Sequence, residues 1–221
     1  MPPAARRIAK KSGSYHHGDL RRALLEAAVK VVEKDGISAL TLQTLARRAG
    51  VSSGAPYHHF DSREGLLAAI AIEGLALMVE QMRRAGAEAP DDGRSQLEAL
   101  GRGYVRFALA HRAHFRVMFR PELHALLGKD TNPALGEGLE MLKRAIERCQ
   151  SEGLAPPGDP EPLILLAWSA VHGAAHLWID GSLQYEGLVE NRDDALAKQV
   201  CGTVGALLAA AATNKAPLTG S

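Results

Sequence analysis

The residue types best suited to meet a DNA surface lie close together, just after residue 50. Small residues over 53–55 (Ser-Gly-Ala) would let a backbone approach base edges, where a serine can hydrogen-bond and an alanine methyl can touch thymine. Phosphate binding usually requires lysine or arginine, and neither occurs between residues 51 and 62. His58 and His59, with Tyr57 and Arg63 beside them, can partly fill that role.

A second group able to do chemistry is the pair His172 and His176. On a helix, a spacing of four puts both imidazoles on one face, as in some zinc sites. No acidic residue lies between them, and spacing identifies no third ligand, so we predict no metal ion. The other interpretations of His172 are a polar contact in a ligand pocket and a hydrogen-bonded histidine of the core or of an interface.

Two short helices have to position the first group. Apolar residues recur at helical spacing after Thr41, the expected N-cap, and Gly50 ends this helix. The next helix should cover about residues 54–60, with Ser53 as its N-cap. Pro56 then falls in the first turn, where its missing N–H has no intrahelical partner anyway. Two such helices joined by a tight turn form a helix-turn-helix, whose second helix can enter a DNA major groove.

The order of residues across this stretch resembles the DNA-binding domain of TetR-type transcriptional regulators. The matching positions are Thr41-Leu42-Gln43, Leu45-Ala46, Ala49-Gly50-Val51, Ser52, Gly54-Ala55, Tyr57, His59-Phe60 and Glu64-Leu66-Leu67. The resemblance implies that Thr41 and Tyr57 contact DNA phosphates, whereas we expect Phe60 in the domain core. The predicted DNA-contacting set is Thr41, Gln43, Ser52, Ser53, Gly54, Ala55, Tyr57, His58, His59 and Arg63.

Composition and charge fit this resemblance. The 221 residues are 46% hydrophobic and 23% charged, as expected of a globular protein. Residues 1–70 contain 11 Lys+Arg and 6 Asp+Glu, a net of +5, whereas the remaining residues contain 15 and 19, a net of −4. The basic N-terminal third should therefore meet nucleic acid.

Targeting and cysteine usage favour the cytoplasm. Pro, Gly or charged residues interrupt every apolar run short of the ~18 residues that cross a bilayer, so we expect no membrane partner. The N-terminus has no apolar signal core. Cys149 and Cys201 lack the CxxC spacing and are expected to be free thiols in a reducing compartment.

Helical periodicity predicts an all-α fold of about nine helices, because no strand-like alternation stands out. The expected helices lie at about 18–36, 42–49, 54–60, 63–85, 95–111, 113–119, 132–152, 160–180 and 193–213. Four segments follow: a flexible basic arm (1–15), a helix-turn-helix domain (16–78), an effector-binding and dimerisation domain (79–214) and a tail (215–221). The arm either lies along DNA or only solubilises the chain.

A second resemblance concerns the C-terminal part. Trp168-x3-His172-Gly173 and His114-Phe115-Arg116-x-Met118-Phe119 resemble the WHG-type domain of a subset of TetR-like regulators. Aromatic residues at helical spacing with few charges suit an apolar ligand pocket, although they could equally fill a core. The candidate pocket residues are Tyr104, Phe107, Phe115, Met118, Trp168 and His172, with His172 as the expected polar contact.

The last predicted helix is rich in small residues, including Gly202 and Gly205, which allow close helix approach. TetR-like regulators dimerise through their last two helices, so the resemblance implies a homodimer formed by 160–180 and 193–213. A single short recognition helix contacts few base pairs, so the dimer should bind a pseudo-palindromic operator in double-stranded DNA.

These observations predict a sequence-specific DNA-binding regulator, a homodimeric repressor released by a small apolar or amphipathic effector and needing no cofactor. One alternative is the same regulator with no ligand, its C-terminal domain serving only to dimerise. A remoter alternative is a histidine-based hydrolase. Because the sequence has no nucleophile elbow, no phosphate-binding Gly-rich loop and no metal triad, we predict no enzyme and no catalytic residues.

Overall fold

The computed structural model describes residues 17–128, 134–187 and 193–213, and helices are the only regular elements in these ranges. The α-helices are α1 (His17–Asp35), α2 (Leu42–Ala49), α3 (Arg63–Ala87), α4 (Gly93–Ala110), α5 (Arg112–Met118), α6 (Ala134–Ser151), α7 (Glu161–Ile179), α8 (Ser182–Tyr185) and α9 (Asp193–Thr213). Three 3₁₀ turns lie at Ile37–Ala39, Ala55–His58 and Pro121–Leu123. The all-α prediction is confirmed, although 54–60 is not an α-helix and α8 was not expected.

The chain divides into an N-terminal unit, residues 1–63, and a C-terminal unit, residues 64–221. The predicted basic arm and C-terminal tail lie outside the described residues. The four predicted segments, with a boundary at residue 78, stay a prediction.

In the N-terminal unit, local signals set the ends of α2. The Thr41 hydroxyl accepts a hydrogen bond from the Thr44 N–H at 3.0 Å, so Thr41 is the N-cap, as expected. Gly50 ends the helix with φ 68°, a left-handed conformation that glycine adopts without steric cost. α2 packs against α1, and Phe60 lies in the core of this unit with the Arg21 guanidinium 5.3 Å from its ring centroid.

In the C-terminal unit, α4 is the central helix and packs against α5, α6, α7 and α9. Two of its glycines explain how closely these neighbours approach. A Cβ atom at Gly101 would lie 2.7 Å from the Cys201 Sγ of α9, and one at Gly103 would lie 2.9 Å from the Met82 backbone of α3. A side chain at either position would therefore push a neighbouring helix away.

Three helices are long and apolar enough to cross a membrane on length and composition alone: α3, α7 and residues 195–213 of α9. The expectation that every apolar run is too short is wrong for these helices, because isolated glycines and single charges lower the mean hydropathy of an 18-residue window only slightly. In α3, 56% of that window is buried within the fold, against 33% in α7 and α9. The apolar surface that α7 and α9 leave exposed is described below.

Candidate nucleic-acid interface and apolar cavity

The expected second helix of the helix-turn-helix is a single 3₁₀ turn, Ala55–His58. Gly54 is its N-cap without any side-chain hydrogen bond, so the predictions of a helix over 54–60 and of Ser53 as its cap are wrong. Pro56 is buried in the first turn, where its missing N–H has no intrahelical partner, and the backbone leaves the helical conformation at His59, with φ −121° and ψ −24°. The turn closes when the Phe60 N–H donates to the Pro56 carbonyl at 2.9 Å.

Most of the predicted DNA-contacting side chains are accessible on this unit. The exposed members of the set are Thr41, Gln43, Ser52, Ser53, Gly54, Tyr57 and His58, whereas Ala55, His59 and Arg63 are half-buried. Tyr57 is 58% exposed although it is a large aromatic residue. An exposed tyrosine that follows the small residues 53–55 suits a DNA-contacting surface, since phosphate contacts are often made by tyrosine hydroxyls.

Arg63 is engaged within the fold. Its Nε–H donates to the Leu40 carbonyl at 2.7 Å, and a terminal N–H donates to the Ile37 carbonyl at 2.8 Å. The guanidinium therefore holds the start of α3 against the Ile37–Ala39 turn that precedes α2. Its contact with DNA stays a prediction, whereas these two hydrogen bonds position the start of α3.

Arg47 is an exposed cation of α2 that lies outside the predicted contact set. Its neighbour Arg48 forms a 2.5 Å ion pair with Asp35, whereas Arg47 forms no ion pair within the described ranges. The sequence signal for Arg47 is its place on the polar face of α2, opposite the buried Leu42 and Leu45. An exposed arginine without an ion pair, on a helix that packs against the Ala55–His58 turn, suits a phosphate contact.

Within the C-terminal unit lies an apolar cavity of about 310 Å³. Its walls come from α3, α4, α5, α6, α7 and α9 together with the residues that follow α5. The lining residues are Leu75, Met78, Met82, Leu97, Leu100, Gly101, Tyr104, Met118, Phe119, His124, Leu127, Gly138, Leu139, Leu142, Ala167, Trp168, Val171, Cys201 and Val204. None of them is Asp, Glu, Lys or Arg. The volume lies near the lower end of the range for small-molecule sites, roughly 300–1,000 Å³.

Three of the six predicted pocket residues line this cavity, namely Tyr104, Met118 and Trp168. Phe107, Phe115 and His172 do not. The two phenylalanines are fully buried, and the His172 Nδ1 is 2.6 Å from the hydroxyl of Tyr104, which does line the cavity. The tyrosine therefore brings a hydroxyl to the cavity wall, with the histidine as its hydrogen-bond partner. The contributions of α3, α6 and α9 were missed, because their lining residues look like ordinary apolar core positions.

Three polar side chains at or next to the cavity, those of Tyr104, His172 and Cys201, have pKa values shifted by burial. Burial, with a smaller effect of the neighbouring His176, lowers the pKa of His172 to about 4. Burial raises the pKa of the Tyr104 hydroxyl well above its ordinary value of 10.0, and a hydrogen bond with Trp168 offsets part of that rise. Burial also raises the pKa of the Cys201 thiol to about 12. At neutral pH, all three side chains are therefore uncharged.

The two histidines of the predicted zinc-like spacing are close, with ring centroids 4.6 Å apart. Phe119 packs edge-on against His172 at 4.5 Å, and Phe115 lies 4.8 Å from His176. Across the described part of the chain, no group of three or more His, Cys, Asp or Glu side chains could hold a metal ion. The surroundings of this pair are aromatic.

Apolar side chains remain exposed on the two helices that were predicted to dimerise. On α7, Leu165 is 63% exposed, and Leu166 and Leu177 are exposed as well, while on α9 Leu207 is 56% exposed. Gly205, expected to favour contact between subunits, instead faces α4, since its Cβ would lie 3.0 Å from the Glu98 carboxylate. The leucines, not this glycine, are the residues available to a partner.

Comparison with known proteins adds independent information. Residues 24–70 match the family model of bacterial regulatory proteins of the tetR family, and residues 97–212 match the tetracyclin repressor-like C-terminal domain. HTH-type transcriptional regulator BetI of Stenotrophomonas maltophilia is 36% identical over 80 residues, which are 36% of this chain and 41% of BetI. The class A tetracycline repressor from transposon 1721 of Escherichia coli is 33% identical over 94 residues, 42% of each chain. The chain thus spans less than half the length of these two curated relatives.

Solved structures match over a larger share of the chain. A protein of unknown function from Rhodococcus sp. RHA1 is 35% identical, with a TM-score of 0.74 over 89% of this chain and 98% of that one. FadR from Bacillus subtilis, in complex with stearoyl-CoA, is 18% identical, with a TM-score of 0.66 over 86% of this chain and 98% of that one. At that identity, the second likeness concerns the fold alone.

Proposed function

Because the chain belongs to the TetR family of transcriptional regulators, we propose that it is a homodimeric repressor that leaves its DNA operator when a small molecule binds. It acts in the cytoplasm on double-stranded DNA, without a cofactor and without catalysis. Two observations together carry this proposal: residues 52–54, Tyr57 and His58 are exposed in one unit, and the other unit contains an apolar cavity.

The DNA-binding part rests on the surface formed by α2 and the Ala55–His58 turn. The exposed Tyr57 hydroxyl suits a phosphate, and Ser53 and His58 can hydrogen-bond to base edges. Gel-shift titrations on selected operator fragments test this division. Tyr57→Phe, which removes only a hydroxyl, should weaken binding about equally for all sequences, whereas Ser53→Ala or His58→Ala should change the preferred bases.

A matched control for the tyrosine change is Tyr185→Phe in α8, because Tyr185 is 88% exposed and lies in the other unit. It should leave DNA affinity unchanged. If Ser53→Ala and Tyr57→Phe also leave both affinity and base preference unchanged, the turn does not recognise DNA, and the proposal fails at this step.

The dimeric part rests on the exposed leucines of α7 and α9. Burying them against a second copy removes apolar surface from water, and a two-fold dimer places two recognition turns on a pseudo-palindromic site. Sedimentation of the full chain should report twice the chain mass, and protection of operator DNA should be symmetrical about the centre of the site.

The effector part rests on the cavity. A ligand shifts a regulator only by its difference in affinity between two conformations, so its site should touch an element shared by both units. α3 begins at Arg63 of the N-terminal unit and contributes Leu75, Met78 and Met82 to the cavity. Thermal-shift screening against a metabolite library, followed by gel-shift with each hit, tests this step. A regulator without a ligand would give no hit that also releases DNA.

A further inference from the structure

We propose that the effector is an uncharged molecule whose apolar body fills the cavity and whose one buried hydrogen-bonding group meets the Tyr104 hydroxyl. This inference rests on the proposed function and adds the charge and the polar contact of the effector.

The first argument is the absence of a counter-charge. Apart from the exposed His124, none of the residues lining the cavity is acidic or basic, and twelve of them are Leu, Met, Ala or Val. A carboxylate or ammonium group that enters such a site loses its hydration and gains no ion pair. The desolvation penalty of the charge is then not offset, and binding is weakened. A neutral molecule avoids that cost and gains from burying its own apolar surface.

The second argument is the state of the hydrogen-bonded pair formed by Tyr104, which lines the cavity, and His172, which does not. Tyr104 is 4% exposed, and its hydroxyl is 2.6 Å from the His172 Nδ1. Since burial lowers the pKa of His172 to about 4, the imidazole is neutral at neutral pH and offers no positive charge to an acid. The Trp168 side chain is a second hydrogen-bond partner of this hydroxyl. A hydroxyl has one donor and two acceptor positions, so one position remains after His172 and Trp168 are counted. A hydroxyl, carbonyl or amide on the ligand can use it.

The third argument concerns the mouth of the cavity. The lining residues that are also exposed mark its opening, and these are His124, Leu139 and Trp168. Among the described residues, two arginines that lie close in sequence to His124 and Leu139 have carboxylate partners: Arg120 pairs with Glu122, and Arg144 pairs with Glu140 at 3.1 Å. A phosphate group that approached either arginine would therefore meet a carboxylate beside it.

The chain offers a built-in reporter for a direct test. It has two tryptophans, of which Trp168 lines the cavity and Trp178 is buried away from it. In Trp178→Phe, all tryptophan fluorescence comes from Trp168, and a bromine atom brought into contact quenches it. The probes are 10-bromo-1-decanol and 10-bromodecanoate, with decanoyl-CoA as a competitor, all at pH 7.5. The three share a ten-carbon chain and differ in head-group charge.

We expect the bromo-alcohol to quench saturably with a Kd at least tenfold below that of the bromo-carboxylate, and a tenfold excess of decanoyl-CoA not to displace it. Tyr104→Phe, added to the reporter variant, should weaken alcohol binding about five- to tenfold, as expected for one lost hydrogen bond. It should leave the binding of 1-bromodecane unchanged. Tyr185→Phe is the matched control and should change neither.

Calorimetric titration of the wild-type chain with 1-decanol, decanoate and decanoyl-CoA keeps the test valid if Trp178→Phe fails to fold. Equal or tighter binding of the carboxylate or of the CoA ester overturns the inference, and so does failure of all three to bind. Retention of operator DNA by the same preparation is measured in parallel. A chain that binds DNA but prefers a charged ligand would refute the inference and leave the proposed function standing.

Discussion

Arg63 gives the sharpest test of which cations hold the fold and which contact DNA. Its guanidinium donates to the carbonyls of Leu40 and Ile37 at 2.7 and 2.8 Å, a two-pronged arrangement that lysine cannot reproduce. We predict that Arg63→Lys, which keeps the positive charge, destabilises the protein and weakens DNA binding together.

The magnitude follows from the hydrogen bonds lost. A hydrogen bond from a charged donor contributes roughly 1.5–3 kcal/mol, and lysine can retain one of the two. Because Arg63 is half-buried, we use the lower end of this range for each hydrogen bond. Arg63→Lys should therefore reduce the free energy of unfolding by about 1.5 kcal/mol, and Arg63→Ala by about twice that. Urea unfolding followed by circular dichroism measures both.

DNA binding in the same variants separates positioning from phosphate contact. Arg47→Gln is the matched comparison, because Arg47 is exposed on α2 and has no ion pair in the described part of the chain. It should leave stability unchanged and lower the slope of log affinity against log salt by about one. Arg63→Lys should lower affinity with little change of slope. If Arg63→Lys retains full stability and DNA affinity, while Arg63→Gln loses a unit of slope, the positioning argument is refuted.

Three further predictions concern the C-terminal unit. Leu165→Asp, at a 63% exposed position of α7, should halve the sedimenting mass and abolish operator binding without loosening the fold, and a dimer of unchanged affinity would contradict the assigned face. Gly138→Leu should fill the cavity, because a Cβ added there would lie 3.1 Å from the Met78 Cε. Gel-shift should then show normal DNA binding that no effector reverses, and release by ligand would exclude this cavity as the site. His172 should make the protein less stable as pH falls from about 6.5 to about 4, because the unfolded side chain takes up a proton that the buried one, with its pKa lowered to about 4, does not. Urea unfolding at pH 4.5 and 7 should show a smaller loss for His172→Asn than for wild type, and equal losses would refute the assignment.

Features that depend on interactions within a few residues could be predicted from the sequence. The spacing of apolar residues predicted the helices, the Thr41 hydroxyl predicted the start of α2, and Gly50 predicted its end. Each of these depends on atoms within about one helical turn, so no knowledge of distant contacts is needed. The ordered set of positions from Thr41 to Leu67 was also enough to indicate the family, because that pattern lies in one continuous stretch.

Other features were decided by residues far apart in sequence. The acceptors of Arg63 lie 23 and 26 positions earlier, so the sequence suggested a DNA contact but could not show that its guanidinium also holds the fold. His172 was expected to line the cavity, but Tyr104, 68 positions away, lines it and is hydrogen-bonded to His172. Gly205 turned towards α4 because the rotation of α9 is set by its packing against Gly101 and its neighbours. Which face of a helix is buried depends on the shapes of the neighbouring helices against which it packs. Only the tertiary structure therefore determines it.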